Sequence, residues 1–295
     1  MRKFFNKCYF KSGLVFKFVV GILLIVYSIL LISLFVYAFI NSAKDPWSFI
    51  EDSVRFPKEW HFENYLKVIE NLKSQKNAIS PIYYIEHMFG GSLLYSILCS
   101  SGIMIATGLM AYACAMFPCK LSSAIYYIVI FVITIPIIGS LPSEMKVIQD
   151  LKLYDKIGSA FFLKFSFGNI YFLLLYETIK KVPKDYKEAA EIDGASNMRI
   201  MLQVMLPLIK NIFGSIFLVQ FISFWNDYST PMIYFPSFPN ISLGIINFAF
   251  STSGAIAEEP YKLAACFVAL LPILLIFIIF QRKLMDNISA GGLKG

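Results

Sequence analysis

Charge is scarce in this chain of 295 residues: only 15% is Asp, Glu, Lys or Arg, while 58% is hydrophobic. A soluble domain carries about a quarter charged residues, so water is excluded as the main solvent. Histidine is scarcer still. His61 and His87 are the only two, neither belongs to a set of residues at metal-ligand spacing, and no metal site is expected. The five cysteines, Cys8, Cys99, Cys114, Cys119 and Cys266, fall in apolar stretches or on the face read below as cytoplasmic. That placement excludes an external disulfide framework and a clustered zinc site. No GxxxxGK[ST] loop occurs, so the chain has no phosphate cradle of its own and no cofactor is expected.

What is present is a series of uncharged runs: Phe18 to Ala43, Met88 to Cys119, Leu121 to Ser143, Asn211 to Asn226 and Leu263 to Gln281. A bilayer span needs roughly 20 apolar residues at about 1.5 Å rise each. The runs predict spans at 17–40, 91–117, 122–141, 157–179, 210–227 and 262–282, the fourth interrupted by Lys164 and the mixed stretch Phe165 to Gly168. Arg2, Lys3, Lys7, Lys11 and Lys17 lead into the first run. It is too long for a signal-peptide core and lacks a small-residue cleavage site, so it reads as a retained anchor.

The net charge of +7 would suggest nucleic acid in a soluble protein, but its distribution speaks for a membrane. With loops assigned to alternate sides, Lys120, Lys180, Lys181, Lys184, Lys187, Arg199, Lys210, Arg282, Lys283 and Lys294 join the N-terminal cluster on one side. By the positive-inside rule both termini are cytoplasmic. The chain then divides into an N-terminal segment 1–16, a transmembrane domain 17–282 and a tail 283–295. Asn41 to Gly90 is external, with an amphipathic piece at Trp60 to Leu72. Gly102 with Ala106, and Thr107 with Ala111 and Ala115, make small faces for close helix approach. Pro136 with Gly139, and Pro272, are candidate kinks.

One polar insertion stands out on the basic side: 182–207, VPKDYKEAAEIDGASNMRIMLQVMLP. It predicts two short helices. Pro183 suits a first turn, Glu188 to Ile192 are good helix formers, and Gly194 can take the geometry that ends a helix. Ser196 or Asn197 can cap a second helix running to Leu206, where Pro207 restarts the chain into the membrane. Ala189 and Ala190 give the first helix low relief beside the acids Glu188, Glu191 and Asp193. Such a knob fits a cleft on another protein; a helix lying on the bilayer surface has the same amphipathicity.

Glu188, Ala189, Ala190, Gly194, Val204, Leu206 and Pro207 resemble the EAA signature of binding-protein-dependent ABC importer permeases. Ala111 to Phe117, AYACAMF, is similar to the end of the second span in the carbohydrate-uptake branch, the maltose and multiple-sugar type. Met116 stands there where a basic residue is usual, and Tyr95 replaces an Asn usual before Ser96. Trp225, Asn226, Asp227 and Pro231 are similar to the family pattern at the outer end of the fifth span. The closing AGGLKG resembles the family tail.

The resemblance implies an all-α polytopic membrane protein with six transmembrane helices in the type I ABC importer permease (MetI-like) fold, a transport subunit and not an enzyme. It implies a bacterial cell membrane, a second permease subunit, two ATP-binding subunits, an extracellular solute-binding protein and a sugar, with no nucleic acid. Glu188, Ala189, Ala190, Asp193, Gly194 and Pro207 would couple to the ATPase, and Gly291, Gly292 and Lys294 would approach it. Ser253, Gly254 and Glu258 would meet the binding protein; Trp225, Asn226 and Tyr228 would line the path. A self-powered secondary transporter and a membrane-embedded transferase are the alternatives. The first calls for intramembrane acids and related halves, the second for acids, histidines or a metal set at a membrane face.

Overall fold

The computed structural model describes residues 2–74, 81–135, 139–250 and 258–290, with side chains over 16–74, 81–135, 139–250 and 258–279. Helices account for 76% of the chain, and the strands among the described residues, β1 (Lys73–Ser74) and β2 (Tyr83–Tyr84), form one two-residue antiparallel pair. The fold is therefore all-α, the solution a chain in lipid reaches by satisfying its backbone polar groups within each segment. Among the described residues, four helical stretches are long and apolar enough to cross a membrane: Phe16–Ser42, Ile85–Met116, Asn197–Trp225 and Glu259–Ile279. Lys120–Thr134 and Ile241–Phe250 are shorter apolar helices.

Two compact units divide the chain. The first comprises Met1–Asn71 with Ser251–Val268. It holds α1 (Arg2–Ser42), α2 (Pro46–Glu51) and α3 (Glu63–Asn71). The amphipathic piece expected at Trp60 to Leu72 is α3. Its Asn64 side chain donates to the carbonyls of Ser42 (3.0 Å) and Lys44 (2.9 Å), and the Tyr65 and Ser42 hydroxyls meet at 2.6 Å. The bond to Ser42 occupies a carbonyl that the end of α1 leaves orphaned. The Lys44 ammonium donates to the Asp52 carbonyl at 2.9 Å; burial pulls its pKa below the ordinary lysine value, with Asp52 opposing. His61 Nδ1 lies 3.7 Å from Glu63 Oε1.

The second unit comprises Leu72–Phe250 with Ala269–Gly295 and is organised around α4 (Ile85–Met116). After it come α5 (Lys120–Thr134), α6 (Leu141–Asp150), α7 (Ser159–Leu163), α8 (Ile170–Lys180), α9 (Asp185–Ile192) and α10 (Asn197–Ile200). A π turn, Met201–Met205, then leads into α11 (Leu206–Trp225), α12 (Ser229–Tyr234) and α13 (Ile241–Phe250); α14 is Glu259–Ala290. α4 packs against α7, α8, α11 and α13. Met104, Ala111, Tyr112, Phe172, Leu175, Ile179, Ile200 and Met205 form one buried cluster, and Tyr95, Cys99, Ala160, Phe224, Tyr234 and Phe235 another.

The expected fourth span, 157–179, is two helices rather than one. α7 ends at Leu163 with Lys164 as its C-cap, and α8 starts from Asn169, whose Oδ1 accepts from the N–H groups of Tyr171 (3.0 Å) and Phe172 (3.3 Å). An Asn that caps a helix start competes with helix continuation through it. The Lys164 ammonium lies 5.8 Å from the Phe224 ring centroid, within cation–π range. The helix expected over 122–141 stops at Thr134, and Gly139 holds φ +84° before α6 begins. Pro136 lies outside the described residues.

Close approach explains one glycine on α4. A Cβ at Gly102 would stand 2.3 Å from the Phe161 carbonyl oxygen of α7. Backbone cannot yield as a side-chain tip does, so Gly102→Ala is expected to lower stability by about 1–3 kcal/mol. Thermal unfolding of the purified variant in detergent measures it.

Candidate functional site

The polar insertion forms the first of the two short helices its residues predict, α9, whereas the second is no separate short helix, because α10 opens the helical path that continues into α11. Asp185 and Glu188 lie in the first turn of α9, where carboxylates complement the positive helix end. Asp193 closes α9, and Gly194 turns the chain with φ +73°. A glycine accepts that backbone without the Cβ penalty. Of the two candidate caps, Ser196 is the one used, its hydroxyl accepting from the Arg199 N–H at 3.4 Å.

Asp185, Glu188, Ala189 and Ile192 follow the i, i+3, i+4, i+7 spacing and share one face. All four are exposed. Ile192 is 86% exposed, an isoleucine left in solvent next to three carboxylates. The opposite side is anchored: Ala190 packs on the buried cluster, and Ile200 beyond the turn is fully buried. The Tyr112 hydroxyl of α4 donates to the Asn197 carbonyl at 3.2 Å.

Pro207 does not restart the chain. The helical path runs from Asn197 through the π turn into α11 without a break, with the Leu206 N–H bonded to the Met201 carbonyl five residues back. Proline lacks a donor for the carbonyl four residues earlier and its ring crowds that carbonyl, so widening the preceding turn relieves both. Beside the π turn is an apolar cavity of about 150 Å³ lined by residues including Met104, Gly108, Tyr112, Met201, Met205 and Phe213.

At the other end of α11, Asp227 gathers four elements. Its carboxylate accepts from the Tyr95 hydroxyl (2.7 Å), the Ser229 hydroxyl (2.9 Å) and the Thr230 N–H (3.1 Å). Its carbonyl accepts from the Asn240 side chain (2.6 Å), and the Trp225 carbonyl accepts from the Ser242 hydroxyl (2.6 Å). Burial works to raise the Asp227 pKa, but the bonds from Thr230, Tyr95 and Ser229 together outweigh it and hold the carboxyl below the ordinary carboxylate range. Sequence reading singled out Asp227 only as part of a resemblance. Its partner Tyr95 lies 132 residues away, beyond any local signal.

The three residues expected to line a path do not share one environment. Trp225 is buried, and its indole N–H has no hydrogen-bond partner among the described residues. Asn226 is exposed, its side chain on the Ile222 carbonyl at 2.9 Å, and Tyr228 is 42% exposed. Glu258 is exposed, and its carbonyl accepts from the Tyr261 and Lys262 N–H groups at the start of α14. Ser253, Gly254, Gly291, Gly292 and Lys294 lie outside the described residues.

Residues 102–289 match the family described as binding-protein-dependent transport system inner membrane component. The chain is 24% identical over 274 residues to the diacetylchitobiose uptake system permease protein of Streptomyces coelicolor, covering 91% of this chain and 86% of that one. It is 26% identical over 279 residues to the probable starch degradation products transport system permease protein of Thermoanaerobacterium thermosulfurigenes, covering 94% and 97%. The crystal structure of a bacterial ABC transporter involved in the import of the acidic polysaccharide alginate contains a chain of the same fold, with TM-score 0.74, 19% identity and coverage of 92% of this chain and 97% of that one. A helical membrane fold built around α4 and a family match spanning α5 to α13 lead to one conclusion: this multi-pass membrane protein belongs to the binding-protein-dependent transport system inner membrane components and is a permease subunit of an ABC importer.

Proposed function

We propose that the chain passes a carbohydrate across a bacterial cell membrane as one of two permease subunits, docked through α9 on one of two separate ATP-binding subunits. The observation that carries the docking is the exposed face of Asp185, Glu188, Ala189 and Ile192, held from behind by partly buried Ala190 and buried Ile200. Seating an Ile192 side chain in a partner cleft contributes about 1.5–3 kcal/mol. A bilayer surface suits this face poorly, because Asp185, Glu188 and Asp193 flank the isoleucine and anionic lipid repels them.

The sugar reading is supported by the names of the two relatives and, within this chain, by the Trp225 indole N–H at the outer end of α11, which has no partner among the described residues. A buried donor without an acceptor costs about 1–3 kcal/mol, which a sugar hydroxyl would relieve. Placing α9 in the cytoplasm follows the positive-inside bias, as do cytoplasmic termini. ATP closes the two ATP-binding subunits, which draws the coupling helices together and opens the bundle outward to a solute-binding protein. Hydrolysis resets it. ATP and the loaded binding protein each favour the outward state by binding it more tightly.

Affinity purification of the tagged chain from its own membranes tests this. An ATP-binding subunit and a second permease should co-purify. Carbohydrate uptake by membranes in which the chain has no ATPase partner would contradict the proposal.

A further inference from the structure

No basic residue lies in the last turn of α4, which ends at Met116. The cytoplasmic end of this central helix nonetheless meets a cation. Lys187 of α9 points its ammonium at the Met116 carbonyl (3.4 Å) and over the Phe117 ring (4.7 Å to the centroid), with Glu191 Oε1 at 3.5 Å on the other side. The last carbonyls of a helix have no partner within it and carry the negative end of its dipole. A cation there is favourable, and a ring beneath the same ammonium adds to the attraction. Lys187 is partly shielded, with 20% of its side chain exposed. It sits on the side of α9 away from Ile192, so it leaves the proposed docking face free.

We propose that Lys187 is a positioning residue that clamps α9 to the end of α4, so that displacement imposed on α9 by an ATP-binding subunit reaches the helix on which α7, α8, α11 and α13 pack. The inference rests on the docking of α9 and adds the element through which that docking acts. Its three contacts make a fixed geometry: a charged donor on a carbonyl, a ring under it and a carboxylate that limits its freedom. The aliphatic stem also packs, so a substitution should remove the charge and keep the stem.

The test is a distance measured by pulsed electron paramagnetic resonance in the whole transporter. Nitroxides are placed at the exposed positions Tyr186 and Ala113, with Cys8, Cys119 and Cys266 replaced by serine. The transporter is co-purified with its ATP-binding subunits and compared with and without ATP and vanadate. In the parent and in Lys187→Arg, α9 and α4 move together and the distance distribution is the same in both conditions. In Lys187→Met it matches the parent without nucleotide and shifts by ~1–2 Å or broadens with ATP and vanadate, the scale of helix displacements at switching interfaces. A Lys187→Met distribution that stays like the parent's under ATP and vanadate overturns the clamp. Failure of docking is read separately, since it shows as absence of the ATP-binding subunit from the purified transporter before any distance is measured.

Discussion

Gly194→Val is expected to strip the ATP-binding subunit from the transporter, lowering the amount that co-purifies about tenfold or more, the factor that 1.4 kcal/mol sets. The backbone at Gly194 has φ +73°, and none of the described residues comes within 4 Å of where a Cβ would stand. The penalty is thus conformational and not a clash. An L-residue in this region costs roughly 1–2 kcal/mol, and a β-branched one is a genuine outlier there. Relieving that strain means unwinding the turn between α9 and α10, which swings the Asp185, Glu188, Ala189 and Ile192 face away from its partner. Gly194→Asn serves as the control. Asparagine visits the left-handed region readily, so this variant should keep the ATP-binding subunit near the parental level. Equal loss in both variants would mean that the side chain, and not the turn geometry, is what matters at 194.

Asp227→Ala is expected to lower stability by about 2–3 kcal/mol, because it strands the buried Tyr95 hydroxyl and leaves the Ser229 hydroxyl and Thr230 N–H without their acceptor. Thermal unfolding in detergent reads it. The pH dependence has a definite sign. Since folding lowers the Asp227 pKa, the carboxylate contributes stability above the ordinary carboxylate pKa of about 3.9 and loses it as pH falls through the lower folded value. Asp227→Asn removes that acid-sensitive increment, so the stability curves of parent and variant should converge as the pH drops. Curves that run parallel through this window would remove Asp227 from its place as the tie between α4, α11, α12 and α13.

Local chemistry makes part of this architecture legible in the amino-acid sequence. The α9 helix, the Gly194 turn and the Ser196 cap each depend on a few consecutive residues, and uncharged runs suffice to locate α1, α4, α11 and α14. Composition also flagged Lys164 and the stretch to Gly168, yet it could not show that Asn169 caps a new helix and divides the expected span. The π turn was hidden because Pro207 reads as a helix start, and only the continuous path from Asn197 shows the preceding turn widened instead. The contacts that give the site its geometry are the least local. Lys187 reaches a carbonyl 71 residues away, and Tyr95 reaches Asp227 across 132. Nothing in the neighbourhood of either residue encodes such a partner, which depends on how helices pack after they form.

Whether α9 meets an ATP-binding subunit is best reported by Ile192, 86% exposed on the proposed docking face. A photocrosslinking amino acid at position 192, activated in native membranes and followed by mass spectrometry of the products, reads the contact directly. The predicted result is a product joining this chain to a protein that carries the GxxxxGK[ST] phosphate loop which this chain lacks. Crosslinks to lipid alone, with no such protein among the products, would contradict it.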